Sequence, residues 1–361
     1  MKRPEVSVII PTKDRIRETE TCLAALHRSV KSSRLAVEVI VVDDGSRDGT
    51  QETVRKISRL WGKSAPLRLI RFANSRGPAA ARNAGASASR APLIAYLDSD
   101  CIPQYDWLGT LVRDLKNTGF TALECRTLPS TPPPFGPWDF VVKNKGKVSG
   151  FTLNILRRKA VMEVGGFDER FNRPYHREDT DLLFKLVENG AKVGVSTALM
   201  LHPVRRFGPG RFIREGRNGI HEALLFFRHP RLYFTRLKWI DGLFFPAYYL
   251  GFYAGAGWLL GALSGFIPMN RAALAGAGGL TLASLLATIY VRLRNRKIKP
   301  ALLLLLAIES LIAPFIRLFW VLAGFGRATL ILASGRLNSD RKRKLSANRQ
   351  DASKTSPWPT S

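Results

Sequence analysis

The sequence predicts an α/β domain with a mostly parallel sheet, followed by an α-helical membrane region. Three patterns carry that prediction. Short apolar runs alternate with amphipathic stretches of helical spacing through residues 1–204, as repeated β-α units do. Three long apolar blocks then follow between basic segments, the arrangement of a membrane protein. The loops after the first four apolar runs are polar, and ligands of such sheets bind at the carboxyl ends of the strands.

The elements follow in order. Val6–Ile10 reads as a buried strand and Arg17–Ser29 as a helix. Val37–Val42 and Thr50–Leu60 repeat the pair, as do Leu67–Phe72 with Pro78–Ser89, and Leu93–Leu97 with Trp107–Thr118. Segment 178–188 is amphipathic, with Leu182, Leu183, Leu186 and Val187 inward, and an apolar stretch covers Val193–Leu201. Met1-Lys2-Arg3-Pro4 leads directly into the first strand, so no secretory signal is expected. Cys22, Cys101 and Cys125 are odd in number and lack metal-site spacing, which fits structural thiols in a reducing compartment.

The apolar blocks Leu243–Ile267, Ala272–Val291 and Ala301–Leu322 run 25, 20 and 22 residues, against about 20 for a bilayer crossing. Their glycines, Gly251, Gly255, Gly257 and Gly261 among them, allow close helix packing. Charge is placed around them. Segment 205–238 has nine Arg or Lys against two Glu, 292–299 has five, and 327–361 has eight against two Asp. Together these hold +18 of the net +28. Such juxtamembrane placement, with no nucleic-acid motif, argues against a nucleic-acid partner and for contact with membrane lipids. The third block carries Glu309, Pro314 and Arg317, which leaves two spans plus a re-entrant element open beside three spans. The expected divisions are a domain over 1–204, a basic amphipathic juxtamembrane segment over 205–238, transmembrane or interfacial helices over 239–334, and a disordered basic tail over 335–361.

Asp98-Ser99-Asp100 ends the fourth apolar run. Period-2 alternation would put both carboxylates on one side of the backbone, a site for Mg²⁺ or Mn²⁺ with a phosphorylated ligand. Asp43-Asp44-Gly45-Ser46 follows the second strand, either contacting a base or ribose or serving as an ordinary β-α turn. Gly77 to Gly85 opens a helix with small residues and Arg82, suited to a diphosphate or to tight packing.

Ser7-Val8-Ile9-Ile10-Pro11-Thr12, Val41-Val42-Asp43-Asp44-Gly45-Ser46, Ala81-Arg82-Asn83-Ala84-Gly85 and Asp98-Ser99-Asp100 resemble the motifs of family 2 glycosyltransferases, in that family's order. Gly165-Gly166-Phe167-Asp168-Glu169-Arg170-Phe171 and Arg177-Glu178-Asp179-Thr180-Asp181-Leu182 extend the likeness, which covers about residues 4–204. The resemblance implies a GT-A fold (Rossmann-like, mostly parallel) and inverting transfer from a nucleotide-diphosphate sugar. By position it implies Asp44 at the nucleobase, Pro11 and Thr12 lining the same pocket, and Gly77 and Arg82 near the nucleotide. Asp98 and Asp100 would hold ribose and metal, with His202 as a further ligand. Asp179 would be the general base, with Glu178 beside it contacting the acceptor or complementing the helix dipole. Gly150-Phe151-Thr152-Leu153-Asn154 would lie under the acceptor, with Asn154 as a contact.

The processive members' Gln-x-x-Arg-Trp motif is missing after the base. Pro129–Pro137 holds five prolines, a wall of the acceptor cleft or a spacer. Arg211, Arg214 and Arg217 recur on one side of Arg211–Phe227, an amphipathic helix for an anionic lipid surface or an acceptor phosphate. The expected protein is a non-processive transferase in the inner (plasma) membrane, multi-pass, with its catalytic domain cytoplasmic. Its acceptor would be lipid-linked or a cell-envelope glycan. A non-catalytic scaffold retaining the pocket and a sugar nucleotidyltransferase are the alternatives.

Overall fold

The computed structural model describes residues 3–62, 66–144, 148, 153–237, 249–267, 270–294 and 296–333. Contacts divide the chain into two units. Among the described residues, one runs to Thr131 and resumes over Val141–Val204; the other comprises Pro132–Phe140 and the described residues that follow Val204. The proline-rich 132–140 segment, expected within the first domain, therefore goes with the second unit.

The first unit is built on strands β1 (Val6–Thr12), β2 (Val37–Asp43), β3 (Leu67–Arg71), β4 (Leu93–Tyr96), β5 (Ile102–Pro103), β6 (Ala122–Pro129), β7 (Ile155–Arg157) and β8 (Val193–His202). They form one sheet in the order β3-β2-β1-β4-β7-β6-β8-β5. The β3-β2-β1-β4 half is parallel, β7 is antiparallel to β4 and β6, and β8 returns parallel to β6. Helices α1 (Ile16–Ser33), α2 (Thr50–Trp61), α3 (Pro78–Ala88) and α4 (Trp107–Thr118) connect strands, and α5 (Arg158–Glu163) and α6 (Glu178–Glu188) follow β7. The Val/Ile runs of β1 and β2 are buried on both faces, as parallel strands under helices must be. Each such side chain contributes about 1.5–3 kcal/mol when fully buried. The strand order reverses between β1 and β4, so the loops after these strands splay apart and leave a crevice there.

The helices and strands expected from spacing are present, with ends moved by one to four residues. Three strands, β5, β6 and β7, were not anticipated, and two of them are short. β5 and β7 have two and three residues, too few for a hydrophobic period to register.

α3 lies close on β1 because Gly85 has no side chain; a Cβ there would collide with Ile9. Gly85→Val is expected to cost about 1–3 kcal/mol by overpacking. The check is a melting temperature several degrees below wild type.

In the second unit, helices cover Leu250–Leu263, Arg271–Leu293 and Leu303–Ala333. The last two are long and apolar enough to cross a membrane. The first apolar block is helical for 14 residues, shorter than a span on its own; residues 243–248 of that block lie outside the described residues. The expected close packing holds at Gly251 and Gly255, where added Cβ atoms would collide with Ser284 and Thr281 of the next helix. The third block is one 31-residue helix with Pro314 inside it, not a re-entrant turn. Arg211–Phe227 is not one amphipathic helix either. An α-helical turn, α7 (Arg211–Gly216), gives way to a 3₁₀ segment at Arg217–His221 and then to α8 (Glu222–Arg228). Arg211 is buried, donating to Glu215 Oε1 at 2.7 Å and to Trp138 O at 2.8 Å, so the lipid-facing role expected of it does not hold. The tail over 335–361 lies outside the described residues.

Candidate active site

The carboxyl ends of β1, β2 and β4 bring the acidic motifs to one edge. The chain after β4 does not continue as a strand. Cys101 N donates to Asp98 O at 3.0 Å and closes a turn, so Asp98 and Asp100 diverge rather than alternate along an extended backbone. The shared side expected for them is corrected accordingly. Asp98 Oδ1 accepts from Arg82 Nη2 at 2.9 Å, and Asp100 Oδ2 accepts from Arg15 Nη1 at 3.0 Å.

Arg82 is the hub. Its side chain is 6% exposed, and its Nη1 lies 3.6 Å from Glu178 Oε1 and 3.9 Å from Asp179 Oδ1. Its guanidinium also sits 5.3 Å from the Phe167 ring centroid. One cation thus serves the D-x-D turn and the first turn of α6. Burial opposes its charge, but Asp179, Asp98 and Glu178 more than compensate and hold it protonated. Asp179 is pushed well above the usual carboxylate range, first by burial and then by Glu178 and Asp98, with Arg82 opposing. A carboxylate raised in this way is a stronger proton acceptor. Asp181, two residues on, is fully buried beside Lys185 at 3.2 Å, a structural pair one helical turn apart.

Asp44 is 4% exposed and accepts from Ser75 Oγ (2.7 Å), Arg76 N (2.6 Å) and Gly77 N (3.0 Å). It shapes the loop that opens α3. Gly45, at φ +75°, lets that loop approach, since a Cβ would meet Ser75 N at 3.1 Å. Thr12 is buried with its hydroxyl 2.8 Å from that of Thr19, so its side chain is turned into the domain and not toward a ligand. Pro11 is partly buried beside it. Asn154 is 2% exposed, and its Oδ1 accepts from Cys125 N at 2.8 Å. It braces the sheet between β6 and β7, which overturns the acceptor contact expected of it; residues 150–152 lie outside the described residues.

His202 ends β8, with Nδ1 2.8 Å from Pro203 O. If that nitrogen donates, Nε2 keeps its lone pair for a metal. Among the described residues, Asp100, Cys101 and His202 offer ligand atoms all within 4.8 Å of one another. Burial, with Asp98 and Asp100, pushes the Cys101 thiol well up and keeps it protonated. Asp100 and His202 are then the donors suited to Mg²⁺ or Mn²⁺. Among the described residues, Asp98, Asp100, Glu178 and Asp179 gather around Arg82 and Arg15, an acidic surrounding suited to a dication.

Two participants escape the sequence reading. Arg15 is one; its signal is a basic residue closing the loop after β1. Asn83 is the other. It exchanges hydrogen bonds with the backbone of Phe167 (Phe167 N to Oδ1 2.8 Å, Nδ2 to Phe167 O 2.9 Å), tying α3 to the segment before α6.

Ionised Asp179 is disfavoured in the fold, so its cost grows as pH rises through the raised pKa. Asp179→Asn removes that cost. It should melt a few degrees above wild type at about pH 8 and converge on it below about pH 4, as thermal melts across pH would show.

Comparison with known proteins agrees with this geometry. Residues 7–179 match the family described as glycosyl transferase family 2. The glycosyltransferase AglE of Haloferax volcanii is 37% identical over 116 residues, 32% of this chain and 37% of its own. The pre-mycofactocin glycosyltransferase of Mycobacterium tuberculosis is 28% identical over 243 residues, 63% of this chain and 48% of its own. The succinoglycan biosynthesis protein ExoU of Rhizobium meliloti is 31% identical over 209 residues, 52% and 58% respectively. The chain thus spans about half the length of the curated relatives it matches. A solved mannosyltransferase from Pyrobaculum calidifontis, in complex with GDP-Man and Mn²⁺, shares the fold at TM-score 0.50 and 19% identity, over 97% of this chain and 89% of that one.

Proposed function

Residues 7–179 form a family 2 glycosyltransferase domain, and on that premise we propose that the protein is a membrane-anchored inverting transferase acting non-processively. It moves a sugar from a nucleotide-diphosphate donor to a lipid-linked or envelope glycan acceptor. The observation that carries the reading is the Arg82 hub, which joins the D-x-D turn to a carboxylate of raised basicity.

In the reaction, the acceptor hydroxyl oxygen bonds to the anomeric carbon as the bond from that carbon to the diphosphate oxygen breaks. Asp179 takes the hydroxyl proton, and the electron pair leaves with the nucleoside diphosphate. Arg82 keeps Asp179 from being stranded as a lone buried anion while it waits for that proton. Glu178, on the same helical turn, is placed for an acceptor hydroxyl. Asp44 fixes the 75–77 loop, whose following helix N-terminus, with Gly77 and Arg82, suits a diphosphate. Mn²⁺ or Mg²⁺ held by Asp100 and His202, with Asp98 nearby, would neutralise the departing diphosphate.

Detergent-solubilised protein should release nucleoside diphosphate from one sugar nucleotide of a panel, with Mn²⁺ or Mg²⁺ and not with EDTA. Asp179→Asn should cut the rate about 10²–10⁴-fold, and Asp100→Ala should abolish the metal response. An α-linked donor yielding an α-linked product would overturn inversion. Stimulation by a membrane lipid extract would support the lipid-linked acceptor; preference for a soluble acceptor would count against it.

The anchoring rests on the Arg271–Leu293 and Leu303–Ala333 helices, whose Leu282, Leu286, Leu304 and Phe319 are more than half exposed. Basic flanks support a cytoplasmic catalytic domain in a plasma membrane. The full chain should stay with membranes through high-salt and alkaline washes. Release by salt alone would reduce the attachment to surface charge.

A further inference from the structure

Arg15 has no place in the mechanism above, yet it forms an ion pair with the metal-site carboxylate. The Asp100 side chain is 4% exposed, and Arg15 Nη1 lies 3.0 Å from its Oδ2. A largely buried carboxylate is disfavoured when a compensating cation is taken away. A dication binding to Asp100 therefore competes with Arg15 for the same group.

Only the end of Arg15 is available to move. Its loop is bolted to the turn before α2. Asp14 N donates to Ser46 Oγ (2.9 Å), Arg47 N to Asp14 Oδ1 (2.8 Å), Arg15 N to Thr50 Oγ1 (3.3 Å) and Ile16 N to Asp48 Oδ2 (3.2 Å). Asp14 holds this path at φ +50°. The Arg15 side chain, by contrast, is 37% exposed. Its guanidinium can swing on a fixed backbone, and it stands at the strand-order reversal between β1 and β4 where the crevice opens.

We propose that Arg15 is the resting counter-ion of Asp100, and that a divalent cation taking this carboxylate releases the guanidinium to the donor's diphosphate. The exchange keeps Asp100 compensated throughout. It delivers a planar, multi-donor cation to a phosphate only when metal is bound, which orders binding as metal and then donor. The proposal rests on the metal and donor reading of the site given above.

The test is Mn²⁺ binding by the full-length protein without nucleotide, followed through the electron paramagnetic resonance of free Mn²⁺. Arg15→Gln should bind Mn²⁺ about 3- to 10-fold more tightly than wild type, the range of an ion pair of intermediate exposure. It should also bind UDP or GDP about 10-fold more weakly at saturating Mn²⁺. Arg15→Lys should fall between wild type and Arg15→Gln on both scales. Lys13→Gln removes the same charge from the same loop and should leave Mn²⁺ affinity within about twofold of wild type.

Unchanged or weakened Mn²⁺ binding in Arg15→Gln overturns the proposal. So does an equal gain in Lys13→Gln, or an undiminished nucleotide affinity in Arg15→Gln. Asp100→Asn separates the two levels of inference: Mn²⁺ binding that survives it overturns the metal site itself, whereas its loss leaves the Arg15 result to be read alone. A misfolded Arg15→Gln would lose affinity on both scales, and a gain on one with a loss on the other has no such explanation.

Discussion

The site depends on one guanidinium shared among three carboxylates. Arg82 is buried on α3, and Asp98, Glu178 and Asp179 come to it from the turn after β4 and from the first turn of α6. Without a cation these groups would repel one another across a poorly hydrated space. Burial, and after it the neighbouring Glu178 and Asp98, raise the proton affinity of Asp179 against the opposing pull of Arg82. The enclosure that brings the loops together thus also raises the basicity of this carboxylate. Such a cluster is held in place by the surrounding packing: Gly85 against Ile9 fixes the depth of α3, and Asn83 pins the Phe167 backbone on the adjoining segment. Gly166, at φ +65°, is part of that pin, since a Cβ there would strike the Asn83 side chain at 2.5 Å.

The sheet was legible because β1, β2 and β4 are buried on both faces and read as nearly continuous apolar runs, while β3, partly exposed, keeps Leu67, Leu69 and Ile70. Their loops were legible because Gly, Pro and Asp punctuate them. Asp44, Asp98 and Asp100 could be placed on one edge from topology, whereas Arg82 and Asp179 joined them only through the family resemblance. What the pattern could not carry was side-chain direction. The turn closed by Cys101 N sends Asp98 and Asp100 to different cations, and no spacing rule for strands describes a turn. Asn154 was expected at the acceptor because the resemblance puts residues 150–154 beneath it, but a buried amide between two strands is also a way of satisfying the Cys125 backbone. Arg211 failed likewise. Three arginines at three-residue spacing suggest a helix face, whereas the chain passes into a 3₁₀ segment at Arg217, and the first arginine is drawn inward.

The polar residues in the third apolar block have a physical reason within their own unit. Glu309 is 3% exposed and accepts from Trp138 Nε1 at 2.5 Å and Phe212 N at 2.6 Å. Arg317 lies 3.2 Å from Glu222, whose other oxygen accepts from Tyr233. Arg296 donates to the carbonyls of Gly136 and Asp139 at 2.6 Å each. These groups face the protein rather than its apolar exterior, as an ionisable side chain on a membrane helix must. Glu309 and Arg296 also clamp the 132–140 segment through Trp138 and the Gly136 and Asp139 carbonyls, so it is not left as a loose spacer.

Charge is distributed to match. A chain with 56 basic and 28 acidic residues could have filled the crevice with cations, which would bind a diphosphate tightly and hold it after the sugar had left. Among the described residues the site instead gathers Asp98, Asp100, Glu178 and Asp179 around Arg82 and Arg15, an acidic cluster within a strongly positive protein. On the proposed reading, such a floor would oppose a bare donor diphosphate and accept one accompanied by a dication, and loss of either would ease release of the other. The basic residues would then act elsewhere, beside the apolar helices, where attraction to anionic lipid would not compete with turnover.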